Sequence, residues 1–316
     1  MLGAAGQEGF RHEALLYAGE DEFVERTSEF ILRGIEAGEP TLVVVSARKI
    51  DSLRERLPGD AEGVYFADMS EVGRNPGPII PAWRDFVSRH SGAAFRLRGI
   101  GEPIFPERSA ESMVECQRHE ELLNVAFDGS PSWWLLCPYD TDALEPAVVE
   151  EALRSHPYFT NGRSQASPRY RGLRACSAPV RAPLPDPPAY AVTLTFDRDD
   201  IDGVRRVVAS YASELGFGVG QRDDFSLAAH ELAANSVRHG GGSGVLRLWG
   251  DEAGLVADVS DAGSIEDPLA GRIDPRGGSD GGRGGRGLWL VNQLCDLIQI
   301  RSHPGGSTVR AHLAKG

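Results

Sequence analysis

Apolar residues in the first half of the chain follow two alternating periods. Residues 21–38, DEFVERTSEFILRGIEAG, place them three or four apart and end at a glycine, which predicts an amphipathic helix. Residues 41–46, TLVVVS, form a continuous apolar run of the kind found in strands covered on both faces. Runs of both kinds alternate as far as residue 140. This order predicts an α/β fold with a largely parallel sheet.

The pattern changes near residue 190, where short alternating runs are separated by a few helical segments. Helices are predicted at 201–216, 223–240 and 288–296, and strands at 189–196, 244–252, 254–263, 297–303 and 306–314. Several of the strands follow one another directly, joined by short turns such as PGG at 304–306. The second half is therefore predicted to be an α+β fold with helices packed on one face of a mostly antiparallel sheet.

The segment between the halves, residues 160–189, is rich in proline and ends in PLPDPP before Ala189. Such a segment cannot continue a helix or a central strand and predicts a semi-rigid, extended linker. We therefore expect an N-terminal domain at 1–159, a linker at 160–189 and a C-terminal domain at 190–316.

Composition agrees with two globular domains and excludes several classes of protein. The 316 residues are 41% hydrophobic and 25% charged, with a net charge of −13, which argues against direct nucleic-acid binding. There is no apolar run of about 18 residues that could span a membrane, and no signal-peptide pattern. The four cysteines are scattered without a CxxC pair, which indicates neither a zinc site nor a disulfide framework. We expect a cytoplasmic protein without a membrane partner.

The N-terminal half offers little recognisable chemistry. Its first strand and helix meet at Glu20, Asp21 and Glu22, where a phosphate loop would need GxxxxGK[ST]. RHEE at 118–121 is interpreted as a helix surface, and SWWLL at 132–136 as core. The patterns HEALLY and IEAGEPTLVVVS resemble the MEDS sensory domain over residues 10–157. That resemblance implies a RecA-like fold without its phosphate loop and a sensory or interaction role, and it names no ligand.

Three motifs in the C-terminal half combine into a candidate site. Glu231, Asn235 and His239 are four residues apart and share one face of a predicted helix. A buried, unpaired carboxylate is costly and needs a partner, and a carboxylate beside an amide oxygen suits Mg²⁺. DAG at 261–263 ends a predicted strand, and GGRGL at 284–288 precedes a helix, where backbone amides can hold phosphate.

In this order the motifs resemble those of the GHKL (Bergerat-fold) ATPases over residues 190–314. HELAANSVRHG and GGRGLWLVNQLCD are most similar to the actinobacterial anti-sigma-factor serine kinases. The resemblance implies a C-terminal Bergerat-type α+β sandwich that binds ATP and Mg²⁺. One departure is that DAGSI lacks the second glycine of the usual DxGxG.

The resemblance also implies a role for each motif residue. It makes Glu231 the general base, Asn235 the Mg²⁺ ligand, Asp261 the acceptor of the adenine amine and Gly263 the residue beneath the ring. It also places phosphate contacts at Gly285, Arg286 and Gly287, with Leu288 beside them, and a hydroxyl near adenine at Thr308. His239 receives no chemical role, and a position capping the end of the helix is expected for it.

Three functions remain open at this stage. The first is a serine/threonine kinase that also acts as an anti-sigma factor, with a sigma factor and an anti-sigma-factor antagonist as partners and room for a homodimer. The second is a sensor histidine kinase, which needs a phosphoacceptor histidine ahead of the ATPase domain, where the sequence offers His156 beside Pro157. The third is a binding module that holds a partner without catalysis.

Overall fold

The structure is a computed structural model that describes residues 9–59, 61–90, 96–251, 254–275 and 285–315. The chain forms two compact units, residues 1–177 and residues 178–316. Within the described ranges, no helix combines the length and the apolar character needed to cross a bilayer.

The first unit is built on a seven-stranded sheet. Its strands are β1 (Phe10–Tyr17), β2 (Thr41–Val45), β3 (Val64–Asp68), β4 (Leu97–Gly101), β5 (Trp133–Asp140), β6 (Tyr158–Thr160) and β7 (Ser164–Ala166). They lie in the order β3-β2-β4-β5-β1-β6-β7. Every neighbouring pair is parallel except β6 and β7, which are antiparallel. The largely parallel sheet predicted from the apolar runs is confirmed.

Helices connect the parallel strands of this unit. They are α1 (Gly19–Ala37), α2 (Ala47–Arg56), α3 (Met69–Val72), α4 (Ile79–His90), α5 (Ala110–Ala126), α6 (Pro146–Ser155) and α7 (Leu173–Cys176). The acidic residues that follow β1 form the first turn of α1, where negative charge interacts favourably with the helix dipole. The helix is capped by Gly38, whose φ of 66° places it in the left-handed region that glycine adopts without strain.

Two interpretations of the N-terminal half need correction. RHEE at 118–121 does not form an exposed surface, because His119 and Glu120 on α5 are each 1% exposed. The segment 160–189 is not extended throughout, because its first part forms β7 and α7 within the first unit. Local polarity misleads in the first case because Glu120 and Asn124 of α5 face His12 of β1 in the interior rather than solvent.

The second unit is built on a five-stranded sheet. Its strands are β8 (Val192–Asp197), β9 (Ser243–Gly250), β10 (Gly254–Asp261), β11 (Leu297–His303) and β12 (Gly306–Ala314). They lie in the order β11-β12-β10-β9-β8, and each neighbouring pair is antiparallel. Its helices are α8 (Ile201–Glu214), α9 (Val219–His239) and α10 (Arg286–Leu294). The antiparallel sheet and the set of helices predicted for this half are confirmed.

The core of the second unit lies between the helices and one face of the sheet. It contains Val204 and Val208 from α8, Phe225 and Leu232 from α9, and apolar residues of the strands such as Leu246. These residues alternate with polar positions along each strand, so the pleat assigns each strand residue either to the helix side or to the opposite face. That division decides which side chains can reach α9.

Candidate functional site

Helix α9 carries the carboxylate and the amide of the predicted site. Glu231 and Asn235 are both half-buried, and their spacing of four residues places them on one face of the helix. His239 is the last residue of α9 and is exposed, where a basic side chain interacts favourably with the helix dipole. The apolar face of α9 is buried through Phe225, Leu232 and its alanines, and this packing fixes the direction in which Glu231 and Asn235 point.

The first turn of α10 lies directly against these two side chains. A Cβ atom placed on Gly287 would lie 2.9 Å from Asn235 Nδ2 and 3.0 Å from Glu231 Oε2. A side chain at this position would therefore collide with both. The helix begins at Arg286, two residues earlier than predicted, so Arg286, Gly287 and Leu288 form its first turn and Gly285 precedes it. Backbone N–H groups of a first turn have no partner within the helix.

Asp261 lies at the end of β10 with most of its acceptor positions in use. Its Oδ2 accepts a hydrogen bond from Ser236 Oγ at 2.6 Å. Its Oδ1 accepts from the backbone N–H of Gly263 at 2.8 Å and from Ser307 Oγ at 3.0 Å. A carboxylate offers about four acceptor positions, so Asp261 is held in place and retains one position for a further donor.

Gly263 permits a close approach between the end of β10 and the end of α9. A Cβ atom at Gly263 would lie 2.7 Å from the carbonyl oxygen of His239 and 2.9 Å from Cα of Gly240. The backbone N–H of Ala262 also donates to the carbonyl of Gly240 at 3.1 Å. These contacts join the two elements that carry Asp261 and Glu231.

A cleft of about 590 Å³ connects these groups. It is lined by Glu231, Asn235, Asp261, Gly263, Gly285, Arg286, Gly287 and Leu288, together with Arg238, Ser307 and part of the segment 264–275. Its volume falls in the range of about 300 to 1,000 Å³ that is usual for small-molecule sites. The structure thus brings together eight of the nine residues predicted from the motifs.

Thr308 is the predicted residue that the structure places elsewhere. It pairs with Ser260 across β10 and β12, and strand alternation turns it to the face opposite Val309, where it lines a second groove that Ser307 and Asp261 also border. Ser307, one residue earlier, faces the cleft and donates to Asp261. Strand alternation could have identified it, because Val309, Ala311 and Leu313 are the apolar, buried positions of β12 and Ser307 shares their parity.

Sequence reasoning also missed Ser236 and Asn292. Ser236 follows Asn235 directly and reaches Asp261. Asn292 on α10 donates from Nδ2 to the carbonyl of Gly271 at 3.0 Å, which ties the beginning of the glycine-rich stretch at 271–287 to that helix. Residues 276–284 of this stretch lie outside the described residues.

The residues present fit Mg²⁺ and a nucleotide. Glu231 and Asn235 supply the carboxylate and amide oxygens that Mg²⁺ prefers, and the glycine at 287 leaves the space beside them open. The first turn of α10 supplies backbone donors that suit phosphate. Asp261 supplies an acceptor of the kind that an exocyclic amine requires.

Comparison with known protein families finds a match for each half of the chain. Residues 11–157 match the family described as MEDS, the methanogen/methylotroph DcmR sensory domain. Residues 194–313 match the histidine kinase-like ATPase domain. The chain therefore combines an N-terminal MEDS domain with a C-terminal histidine kinase-like ATPase domain, a combination suited to ATP-dependent signalling.

One solved structure is similar to this chain at a low level of sequence identity. The crystal structure of the RsbU and RsbW domains of a Mycobacterium tuberculosis protein is 20% identical, with a TM-score of 0.30. The match covers 67% of this chain and 50% of that chain, so it extends over about half the length of the solved structure. No curated protein matches the chain.

Proposed function

We propose that this protein is an anti-sigma-factor regulator whose C-terminal domain uses ATP and Mg²⁺ to phosphorylate a serine or threonine of an antagonist protein. The single observation that carries the proposal is the close approach of Gly287, where a Cβ atom would collide with Glu231 and Asn235, beside Asp261 in one cleft. This approach brings the N-terminus of α10, whose backbone N–H groups can bind phosphate, next to a carboxylate and an amide. The match to the ATPase family supports nucleotide use.

Each residue of the cleft has a separate role in this proposal. Asn235 holds Mg²⁺, which when bound offsets the negative charge of the phosphates. Arg286 and the backbone N–H groups of the first turn of α10 bind and orient the phosphates. Asp261 accepts a hydrogen bond from the adenine amine, with Gly263 beneath the ring. Glu231 accepts the proton of the attacking hydroxyl.

The partners are proposed from the motifs around the site. HELAANSVRHG and GGRGLWLVNQLCD resemble the anti-sigma-factor serine kinases, which act on an antagonist and sequester a sigma factor. The MEDS domain is proposed to control this switch. We also propose that the MEDS domain has a RecA-like fold without its phosphate loop. The ATPase domain is proposed to be a Bergerat-type sandwich.

A sensor histidine kinase is a weaker alternative on structural grounds. The histidine ahead of the ATPase domain, His156, is 0% exposed. Its Nδ1 and Nε2 atoms both lie within 3.1 Å of other protein atoms. A phosphoacceptor must be reachable by the kinase domain, so this residue does not suit that role.

The decisive experiment separates phosphoryl transfer from partner capture. Glu231→Gln retains size and hydrogen bonding but cannot accept the serine proton, so we expect transfer to fall by about 10²- to 10⁴-fold. It should still bind ATP and capture its partner. Asn235→Ala should weaken binding of the metal–nucleotide complex as well as transfer. Radiolabelled phosphate transfer to candidate antagonists and a sigma-factor pull-down measure the two properties.

A matched control is Glu266→Gln, which removes the same charge from a residue that lines the same cleft. We expect it to transfer phosphate at the wild-type rate. Wild-type transfer by Glu231→Gln would refute the base assignment. If the wild type binds ATP and a sigma factor but phosphorylates no antagonist, the protein is a non-catalytic binding module instead.

A further inference from the structure

Four potential ligand side chains meet in the interior of the first unit, far from the nucleotide cleft in sequence. His12 lies on β1, Glu120 on α5, Cys137 on β5, and His156 immediately after α6. Each is at most 1% exposed. One ligand atom from each lies within 4.8 Å of all the others. We refer to these four residues as the buried cluster.

The distances within the buried cluster are close to those of a metal coordination shell. Glu120 Oε2 lies 3.1 Å from His12 Nε2 and 3.1 Å from His156 Nε2. Cys137 Sγ lies 3.4 Å from His12 Nε2. A tetrahedral Zn²⁺ site with nitrogen, oxygen and sulfur ligands has ligand–ligand separations of about 3.3 to 3.6 Å, from its usual bond lengths.

The orientation of His12 is fixed by a residue outside the cluster. Asn124 donates from Nδ2 to the carbonyl of Ser155 at 2.8 Å, so its Oδ1 is the atom that faces His12. Oδ1 lies 3.1 Å from His12 Nδ1, and an amide oxygen can only accept. His12 therefore donates from Nδ1, and in the neutral ring Nε2 presents a lone pair to the cluster.

His156 is fixed in the same way. Its Nδ1 lies 2.8 Å from the carbonyl oxygen of Ala152, so Nδ1 donates there. Its Nε2 then presents a second lone pair to Glu120. Metal-binding histidines usually have this arrangement, with the second ring nitrogen donating to a carbonyl or carboxylate outside the site.

With these orientations and without a cation, the lone pairs on Nε2 of the two histidines face the acceptor oxygens of Glu120. Glu120 Oε1 has no hydrogen-bond partner among the described residues, and Oε2 faces two ring nitrogens. Protonating both rings would place two cations 3.9 Å apart, centroid to centroid, without solvent. A buried carboxylate left with such neighbours is costly.

We propose that the buried cluster is a binding site for one divalent first-row transition-metal ion, with Zn²⁺ the best fit. The ligands are Nε2 of His12 and His156, the carboxylate of Glu120 and the thiolate of Cys137. Binding releases the thiol proton of Cys137 to solvent. One carboxylate and one thiolate then balance the two positive charges, so the buried centre is neutral overall. Mixed nitrogen, oxygen and sulfur donors in a tetrahedron suit zinc.

The site is closed, which indicates a structural or sensing role rather than catalysis. All four ligand residues are buried, and catalytic zinc sites instead keep a position open for water or substrate. The ion joins β1 and β5 of the sheet to α5 and to the end of α6. Its occupancy therefore controls how firmly these elements are held. This inference does not depend on the kinase proposal.

The test measures metal content, coordination and stability of the full-length protein. We expect about one equivalent of zinc or a similar ion per chain by elemental analysis. After chelation, Co²⁺ should restore binding and give the visible bands of a tetrahedral site with a thiolate-to-cobalt band. Chelation should lower the melting temperature, and added Zn²⁺ should restore it.

Cys137→Ser is the informative variant, because it replaces the thiol by a hydroxyl of similar size. We expect it to lower zinc affinity by about 100-fold or more and to remove the thiolate-to-cobalt band. The matched control is Cys116→Ser, which alters another fully buried cysteine of the same unit and should bind zinc as the wild type does. Asn235→Ala should also leave zinc binding unchanged, which separates this site from the proposed Mg²⁺ site.

Two results would overturn the proposal. One is a wild type that holds no transition metal, binds neither Zn²⁺ nor Co²⁺, and melts at the same temperature with and without chelator. The buried cluster would then be a group of residues sharing protons without a metal. The other is metal binding that Cys137→Ser and Cys116→Ser retain equally, which would place the ion elsewhere. Because the first measurements use the wild type, they remain informative if a variant fails to fold.

Discussion

Single hydroxyl groups on β12 show how the pleat of a strand selects the residues of the cleft. Ser307 and Thr308 are neighbours in sequence, yet only Ser307 donates to Asp261, and Thr308 faces the other side of the sheet. The family resemblance placed the hydroxyl near adenine at Thr308, whereas in the structure it is the hydroxyl of Ser307 that reaches Asp261. The alternation of buried apolar residues along β12 decides between them.

This difference makes a paired prediction. Ser307→Ala removes one hydrogen bond that positions Asp261, so ATP affinity should fall by about fivefold, which corresponds to about 1 kcal/mol. Thr308→Ala should leave ATP affinity unchanged. Calorimetric titration of both variants with ATP and Mg²⁺ measures the difference. Weaker ATP binding by Thr308→Ala alone would show that the groove on the opposite face holds the nucleotide.

Asp261 itself allows a test of base recognition. In Asp261→Asn, the amide oxygen can still accept from the backbone of Gly263, while the NH₂ group replaces an acceptor by a donor. That donor would face the amine of adenine, which is also a donor, whereas it can form a hydrogen bond to the carbonyl oxygen of guanine. The ratio of ATP to GTP affinity should therefore fall by about 10- to 100-fold. A ratio equal to that of the wild type would contradict the adenine-reading role, whatever the effect on stability.

At the scale of elements, the important contact is the one between the first turn of α10 and the face of α9. Gly287→Ala introduces a Cβ atom that would lie 2.9 to 3.1 Å from side-chain atoms of Asn235 and Glu231. The helix terminus must move or those side chains must rotate. We expect ATP affinity to fall by about 10-fold or more, since a misplaced terminus loses its alignment with the phosphates.

Gly220→Ala is the matched control for this prediction. Gly220 lies in the first turn of α9, and a Cβ atom there would meet no atom of the described residues within 4 Å. Alanine should therefore raise helix stability by up to about 1 kcal/mol and leave ATP binding unchanged. Comparison of thermal melts and ATP titrations for the two variants separates the steric effect from helix propensity. Equal ATP affinity in both variants would mean that the α10 terminus does not contact the nucleotide.

The elements themselves were largely predictable, because each is encoded by a local period. The helix at α9 was predicted as 223–240 and extends from Val219 to His239. The motif residues on α9 and α10 could be grouped because each motif is short and continuous in sequence. The buried cluster could not be found in this way. Its four ligands come from separate elements between residues 12 and 156, and no spacing rule connects residues that only the sheet order brings together.

At the scale of the whole molecule, the second unit has its own core and begins earlier than the sequence suggested. The expected C-terminal domain starts at residue 190, whereas the compact unit starts at Ala178. Two carbonyl groups in the intervening segment accept hydrogen bonds from the sheet. Val180 accepts from the backbone N–H of Ser302 at 3.1 Å, and Pro185 accepts from Arg310 Nη2 at 2.9 Å. The proline-rich segment thus contributes to the unit it precedes.

These contacts lead to a prediction about fragments of the chain. Residues 178–316 should bind ATP with Mg²⁺, since every residue of the cleft lies within them, and residues 1–177 should not. A fragment of residues 190–316 loses both hydrogen bonds to the sheet, so its free energy of unfolding should be lower by about 1 to 3 kcal/mol. Its ATP affinity should match that of 178–316 wherever both are folded, because the lost contacts lie outside the cleft.

Urea unfolding and ATP titration of the three fragments measure these properties. Equal stability of the two C-terminal fragments would show that the segment 178–189 does not stabilise the unit, and ATP binding by residues 1–177 would overturn the assignment of the nucleotide site.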